Sequence, residues 1–355
     1  MVRYLLIGVS IVILLTTGVL WFTSGPDEPA REIENLLELR NLPPNRWVKY
    51  HETTPRDWNR QGHAGMAFDT RRGSLLIFGS DTHGEDWDNA VHEFNIRSRR
   101  WETHYVAAGP ESYRVDDAGR PIAGGDPPLP WAMHTYDALE YHPGLDALIV
   151  MSTTEHNPKG REVPGITEQP TWIYHLPSRR WSTFGNNGKR PPSFFGGSSA
   201  FDERRNVLIA YRSAIWELDL AAGEWRRAAK GHQQLHHTMV YDRRRGIAWV
   251  FGDYYGTTSI WAYRPGAVAG DAGTWTKYEP GGDPCPPYKI VPVAYDARRD
   301  LFVLVVGDVT SGSAGRKKGE TASTYLYDPG ANRYTKLVDA DMPFPGMNFM
   351  MAWDP

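Results

Sequence analysis

The sequence of 355 residues contains a single cysteine, Cys285. One thiol excludes an intrachain disulfide, a cysteine-ligated zinc ribbon and a Cys-x-x-Cys redox pair. Charge of neither sign dominates, because 39 basic side chains are balanced by 42 acidic ones, and this balance gives no signal for a nucleic-acid partner. The HExxH, GxSxG and Walker A motifs are also absent, so no motif names a reaction or a cofactor.

A long internal repeat is present instead. Six times, at intervals of 40 to 73 residues, an aromatic residue followed by a polar residue ends a short apolar segment. These pairs are Phe68-Asp69, Tyr141-His142, Phe201-Asp202, Tyr241-Asp242, Tyr295-Asp296 and Trp353-Asp354. Intervals in this range are typical of propellers and solenoids.

Three further predicted strands follow each of the first five pairs. The second strand is a short apolar run, as in residues 147–152 and 301–308, and the third alternates polar and apolar residues, as in residues 216–219. The fourth strand begins at an aromatic residue. These residues are Trp47, Trp101, Trp181, Trp225, Trp275 and Tyr334.

This module resembles the kelch repeat over residues 46–355. The resemblance rests on an aromatic third-strand residue followed seven positions later by tryptophan, as in Phe94/Trp101 and Tyr174/Trp181. The kelch double glycine after the second strand is replaced here, for example by Gly79-Ser80. The resemblance implies a β-propeller similar to the central domain of galactose oxidase.

We therefore expect an all-β, six-bladed kelch-like propeller with five full blades. Residues 47–50 read as a fourth strand and residues 348–353 as a first strand, so the two are expected to join into a composite, incomplete sixth blade. Unpaired strand edges in such a blade would favour addition of a strand from another chain.

The N-terminal region predicts a membrane anchor over residues 1–25. Residues 4–23 contain no charged side chain and are long enough to span a bilayer as a helix, with Tyr4 and Trp21 at the two interfaces. Arg3 places the N-terminus in the cytoplasm and the propeller in the periplasm or outside the cell; the alternative is a cleaved signal peptide. Residues 26–45 form a linker with a short helix, whose apolar stripe either packs on the propeller edge or docks on a partner.

Arginine recurs in the turns at one end of the predicted blades. These residues are Arg71, Arg72, Arg99, Arg100, Arg179, Arg180, Arg204, Arg205, Arg243, Arg244, Arg245, Arg298 and Arg299. Strand alternation places the anchor at the same end, so this arginine face is expected to meet an anionic lipid surface or a membrane partner. Long loops rich in Asp and Glu belong to the opposite face, which could attract a basic soluble partner.

Histidines precede several first strands near the axis of the predicted propeller. His63, His134 and His236 are weak candidates for a metal site, because convergent imidazoles bind transition metals. The competing interpretation is that these histidines hydrogen-bond to neighbouring blades. A carbohydrate-active enzyme would instead assemble a channel-mouth site from a set such as His134, His156, Tyr211, Arg212 and Asp253.

The sequence thus favours a membrane-anchored, extracytoplasmic binding or scaffold module. We expect an accessory subunit that docks through its anchor and arginine face on an integral membrane complex, such as a respiratory or photosynthetic one. The alternative function is a surface lyase, hydrolase or oxidase acting on carbohydrate. No catalytic set and no cofactor are predicted.

Overall fold

The computed structural model describes residues 28–48, 63–184, 191, 194–232, 235–307, 321–338, 342–343 and 351–353. Over these ranges no helix is both long and apolar enough to cross a membrane. The predicted anchor, with Tyr4 and Trp21, lies outside the described residues.

The described chain is built from four four-stranded antiparallel sheets and a six-stranded sheet with four antiparallel strands at its centre, which follow one another in sequence and are here called blades 1 to 5. Blade 1 consists of β1 Gly65–Asp69, β2 Ser74–Phe78, β3 His92–Asn95 and β4 Arg100–Thr103. A small sheet then follows, formed by β5 Arg114–Val115, β6 Pro121–Ala123 and β7 Leu129–Pro130. Blade 2 consists of β8 Leu139–His142, β9 Ala147–Val150, β10 Thr171–His175 and β11 Arg180–Phe184.

The other blades repeat this order. Blade 3 consists of β12 Ser198–Asp202, β13 Val207–Tyr211, β14 Ala214–Asp219 and β15 Glu224–Lys230. Blade 4 consists of β16 Thr238–Asp242, β17 Ile247–Phe251, β18 Ile260–Arg264 and β19 Thr274–Tyr278. After β20 Gly281–Gly282, blade 5 consists of β21 Val293–Asp296, β22 Leu301–Val306, β23 Thr321–Asp328 and β24 Arg333–Lys336; β25 Met342–Pro343 pairs with β23.

The first strands of successive blades lie side by side around one axis. β1 contacts β8, β8 contacts β12, β12 contacts β16, and β16 contacts β21. All five strands, together with residues 351–353, line a central channel of about 280 Å³. The predicted all-β propeller architecture is therefore confirmed, whereas membership of the kelch family and the number of six blades are not established.

In blades 2 and 3 the fourth-strand tryptophan joins the blade to the one before it. The indole of Trp181 donates to the hydroxyl of Tyr105 at 2.8 Å, and the indole of Trp225 donates to the hydroxyl of Thr171 at 3.0 Å. Both tryptophans are buried in clusters that contain apolar side chains of two adjacent blades. The repeated tryptophan thus packs and hydrogen-bonds between blades.

The aromatic–polar pair that marks the repeat has a local physical cause. In four blades the aspartate that ends the first strand accepts two backbone N–H groups of the following turn. In blade 1, Oδ1 of Asp69 accepts from the N–H groups of Arg71 and Arg72 at 2.8 and 3.0 Å. Blade 2 has histidine instead, and Nδ1 of His142 accepts from the N–H of Leu145 at 3.0 Å. Such side-chain acceptors stabilise a turn without a helix or sheet partner.

The residue before each second strand adopts the left-handed conformation, and in blades 2 to 5 it lies beside a side chain of the preceding blade. These residues are Gly73, Asp146, Asn206, Gly246 and Asp300, with φ between 49° and 67°. Gly, Asn and Asp are the residues that adopt this conformation most readily. Arg72 of blade 1 binds Asp146 of blade 2 through two hydrogen bonds of 2.6 and 2.7 Å, and Arg245 of blade 4 binds Asp300 of blade 5 in the same way, at 2.5 and 2.6 Å.

The predicted N-terminal helix is present as α1, Glu28–Arg40. Its polar side contacts a turn of blade 1, because Nδ2 of Asn35 donates to the carbonyl of Arg97 at 2.6 Å and Glu38 forms an ion pair with Arg99. Its apolar stripe is exposed, with Ile33 60% and Leu37 52% accessible. The stripe is therefore not buried against the propeller edge among the residues that the structure describes.

We expect the interblade arginine pairs to stabilise the fold. Arg245→Met should lower the free energy of unfolding by about 2–3 kcal/mol, because it removes the hydrogen-bonded cation from the carboxylates of Asp242 and Asp300 and leaves only Arg244, 3.7 Å from Asp300. Arg298→Ala, which removes an exposed side chain from the same kind of turn, should change it by less than about 0.5 kcal/mol. Urea unfolding of the full-length chain measures both changes, and equal effects would contradict the structural role of the pair.

These pairs also have a predictable pH dependence. The guanidinium of Arg245 lowers the pKa of Asp300 below its ordinary value. The ion pair therefore contributes fully to folding stability above the pKa that Asp300 has in the unfolded chain. This contribution is lost as the pH falls through the lowered pKa of Asp300 in the folded chain.

Glu140 in the channel wall should have the opposite effect on the pH dependence of folding stability. Burial raises its pKa to about 7, although the hydroxyl of Ser199 donates to Oε1 at 3.0 Å. Because the folded state holds this proton longer than the unfolded state, stability falls as the pH rises from the unfolded value towards 7. Glu140→Gln should remove this loss and stabilise the chain by about 1–3 kcal/mol at pH 8, with little change at pH 4. Unfolding curves at the two pH values measure the difference, and an equal effect at both would contradict it.

Candidate functional site

The chain enters several first strands through left-handed residues at one end of the channel. These entry residues are His63, Tyr136, Gly196 and His236, with φ of 80°, 47°, 64° and 58°. The carbonyl of His63 accepts from the N–H of Tyr136 at 3.0 Å, and the carbonyl of Gly196 accepts from the N–H of His236 at 2.8 Å. Three of the four are not glycine, and left-handed backbone at such residues is concentrated at functional sites.

Side chains from several blades meet at this end of the channel. We call them the mouth cluster: His63, Asp81, His83, His134, Tyr136, His156, Phe195 and His236. The rings of His63 and His134 stack with centroids 4.3 Å apart, and His83 meets His134 edge-on at 4.6 Å. His156 packs on Phe195 at 3.8 Å, and Phe195 in turn lies 5.6 Å from His134.

One carboxylate lies between the two stacked imidazoles. Oδ1 of Asp81 is 3.1 Å from Nδ1 of His63 and 3.7 Å from Nε2 of His134. Asp81 precedes the short 3₁₀ helix Thr82–Gly84, and its Oδ1 accepts from the N–H groups of His83 and Gly84 at 3.2 and 3.3 Å. The turn thus fixes the carboxylate before any ligand binds.

Burial keeps these imidazoles neutral near pH 7. Desolvation, with a smaller contribution from His63, lowers the pKa of His134 to about 2. Burial also lowers the pKa of His236, to about 4, and lowers that of His63 despite the opposing charge of Asp81. Neutral imidazole is the form that donates a lone pair.

A cavity of about 550 Å³ adjoins the mouth cluster beside His83 and His156. Its other walls come from residues 153–169, which pack on the small sheet: the N–H of Thr167 donates to the carbonyl of Gly119 at 3.0 Å. The long loop 152–170 therefore forms most of the cavity wall, and the loop 105–131 contacts that wall through Gly119. The volume suits a small organic ligand.

The structure separates the predicted metal candidates. It brings His63 and His134 together but places His236 on the other side of Tyr136. The ring centroids of Tyr136 and His236 are 5.3 Å apart. Asp81 takes the third position. Sequence reasoning placed Asp81 among the acidic loop residues, but its closeness to His134 depends on the packing of two blades.

The carbohydrate-enzyme set is not assembled as one site in the described chain. His134 and His156 both contact Phe195, but Tyr211 is fully buried and stacks on His237 with centroids 4.4 Å apart. Oδ1 of Asp253 accepts from the N–H of Tyr255 at 3.1 Å within its own turn.

The predicted arginine face is partly neutralised by its own aspartates. In four first-to-second-strand turns, the arginine three residues after the aspartate that ends the first strand forms an ion pair with that aspartate. These arginines are Arg72, Arg205, Arg245 and Arg299. Arg71 and Arg244 are about half exposed, at 55% and 51%, and lie 3.3 and 3.7 Å from neighbouring carboxylates. A partner-facing role of this set stays a prediction.

Comparison with known proteins identifies no family. No family model and no curated protein matches this chain. Similar solved structures include a protein assigned as TolB from Agrobacterium tumefaciens, with 11% identity, a TM-score of 0.48 and coverage of 81% of this chain and 84% of that one. TolB from Acinetobacter baumannii has 8% identity and a TM-score of 0.46, over 82% of this chain and 57% of that one. Similarities this distant carry no functional argument.

Proposed function

We propose that this protein is a membrane-tethered, extracytoplasmic binding module whose arginine face lies towards the membrane and whose mouth cluster lies away from it. The observation that carries the proposal is the attachment of α1. This helix begins five residues after the predicted anchor segment 4–23 and is fastened to the arginine face through Asn35 and Glu38.

The chemistry of the attached face supports this orientation. The apolar stripe of α1 is exposed, which suits a helix that lies in the interface of a bilayer. Exposed arginines in turns of the same face, such as Arg71 and Arg244, would add attraction to anionic headgroups of up to roughly 1 kcal/mol each. The domain would then present the channel mouth, with exposed Tyr255, to a ligand or partner.

We also propose a sixth blade formed from the two ends of the chain. The indole of Trp47 donates to the hydroxyl of Thr324 at 2.6 Å, and Thr324 lies three residues before Tyr327. The bond from Trp225 to Thr171 has the same relation to Tyr174. Trp47 therefore occupies the position of a fourth-strand tryptophan next to blade 5.

Lipid-quenching of introduced labels tests the orientation. The native thiol gives little background, because Cys285 is partly buried and its pKa is raised to about 12 by burial. Fluorophores on Arg298→Cys and on Tyr255→Cys would be compared in full-length protein placed in nanodiscs that contain brominated anionic lipid. We expect strong quenching at position 298 and little at position 255, with Cys285→Ser as the background control.

The opposite result would place the mouth cluster against the membrane. Equal quenching at both positions would show that the propeller has no preferred orientation. Either outcome would overturn the proposal.

A second experiment addresses the expected partner, an integral membrane complex. Arg71→Glu combined with Arg298→Glu should weaken salt-sensitive co-purification of that complex from native membranes, since both changes reverse charge on the arginine face. Tyr255→Ala, on the opposite face, should leave it unchanged. Retention of the complex by the double variant, or loss with Tyr255→Ala, would argue against docking through the arginine face.

A further inference from the structure

We propose that the mouth cluster binds one divalent first-row transition-metal ion through His63, Asp81 and His134. This inference is independent of how the propeller is oriented on a membrane. It rests on the convergence of three donors, on buried nitrogens that lack partners, and on a carboxylate that is already held in place.

Two groups in the described chain bring three potential donor atoms within 4.8 Å of one another. In the group formed by Glu93, Glu102 and His104, both imidazole nitrogens are already engaged: Nδ1 of His104 lies 3.0 Å from the hydroxyl of Tyr174 and Nε2 lies 2.8 Å from Glu93. That group is a closed hydrogen-bond network, so it supplies a natural comparison for the mouth cluster.

The donors of the mouth cluster converge without satisfying one another. Nδ1 of His63 is 3.1 Å from Oδ1 of Asp81, but the contact is too oblique for a hydrogen bond. Nε2 of His134 is 3.7 Å from the same oxygen. Two ligands bound to one ion at about 2.0–2.2 Å lie roughly 3–3.6 Å apart, which is close to the spacing seen here.

Two buried imidazole nitrogens in this group have no hydrogen-bond partner among the described residues: Nδ1 of His63, which is one of the converging donors, and Nδ1 of His134, which lies across the ring from the converging Nε2. The side chain of His134 is only 2% exposed. Nε2 of His134 contacts the hydroxyl of Thr82 at 3.1 Å, a contact that an incoming ion would replace. Buried polar atoms without partners are uncommon, and a bound ion is one of the ways in which such an atom is satisfied.

The carboxylate is pre-organised. Its two hydrogen bonds from the backbone of residues 83 and 84 hold Oδ1 of Asp81 towards the imidazoles. Outer hydrogen bonds of this kind orient metal ligands and strengthen metal binding.

The donor set selects the class of ion. Two imidazoles and one carboxylate suit zinc, iron(II), cobalt, nickel or copper, whereas magnesium and calcium prefer oxygen ligands. Three protein ligands leave coordination positions open for water or for a molecule in the adjoining cavity.

Isothermal titration with Zn²⁺ tests the proposal on full-length protein that carries no polyhistidine tag and has been treated with chelator. We expect one ion per chain and visible absorption bands when Co²⁺ replaces Zn²⁺. Asp81→Asn keeps an oxygen acceptor for the turn but removes the charge, and His63→Asn keeps a residue that tolerates positive φ. Each should weaken Zn²⁺ binding at least tenfold, by analogy with the loss of outer-shell partners.

His175→Gln is the matched control, because His175 lies on the outer part of blade 2 and contacts Ser182 instead of the mouth cluster. It should bind Zn²⁺ as the parent chain does. Circular dichroism melting curves would show that all variants are folded. Absence of stoichiometric binding, or equal affinity in Asp81→Asn, His63→Asn and the parent chain, would overturn the proposal.

Discussion

The structure depends on one recurring contact at the arginine face. A polar residue at the end of each first strand closes the turn that follows it, and in blades 2 to 5 the left-handed residue at the end of that turn lies beside a side chain of the preceding blade. In blade 1 and blade 2 this is the pair Arg72–Asp146, whose two hydrogen bonds join residues 74 positions apart. The contact sets the spacing of the first strands, because the turn and the strand share the same residues.

The spacing of the first strands also determines the geometry at the opposite end of the channel. Each entry residue leads directly into a first strand, so the distance between His63 and Tyr136 follows from how β1 and β8 lie against each other. The stacking of His63 on His134 and the position of Asp81 between them are consequences of that packing. A substitution in the turns of the arginine face is therefore expected to change the distances between side chains of the mouth cluster.

The architecture could be predicted from the sequence because each feature of the repeat depends on residues that are close together in the chain. Aspartate in the turn, alternation in the third strand and tryptophan in the fourth are each readable within about ten residues. The role of the arginines was not readable in this way. Arg245 has a turn aspartate of its own three residues away, but its second partner, Asp300, belongs to the next blade. Some of the arginines that were predicted to form an exposed basic surface instead form ion pairs that stabilise the fold.

In the candidate site, too, the contacts between residues distant in sequence could not be predicted. His63 and His134 were recognised because histidine before a first strand is a local signal, and that signal also selected His236, which lies apart from the other two. Asp81 carries no local mark that distinguishes it from the other acidic residues of its loop. Its role follows only from contacts between a loop of blade 1 and the entry to blade 2.

Metal binding at the channel mouth, as proposed above, depends on this interblade geometry. An anomalous difference map at the zinc absorption edge, from crystals grown with Zn²⁺, would locate the ion. We expect one strong peak about 2.0–2.2 Å from donor atoms of His63, Asp81 and His134. A map without a peak there, or with its strongest peak at His104 or His236, would contradict it.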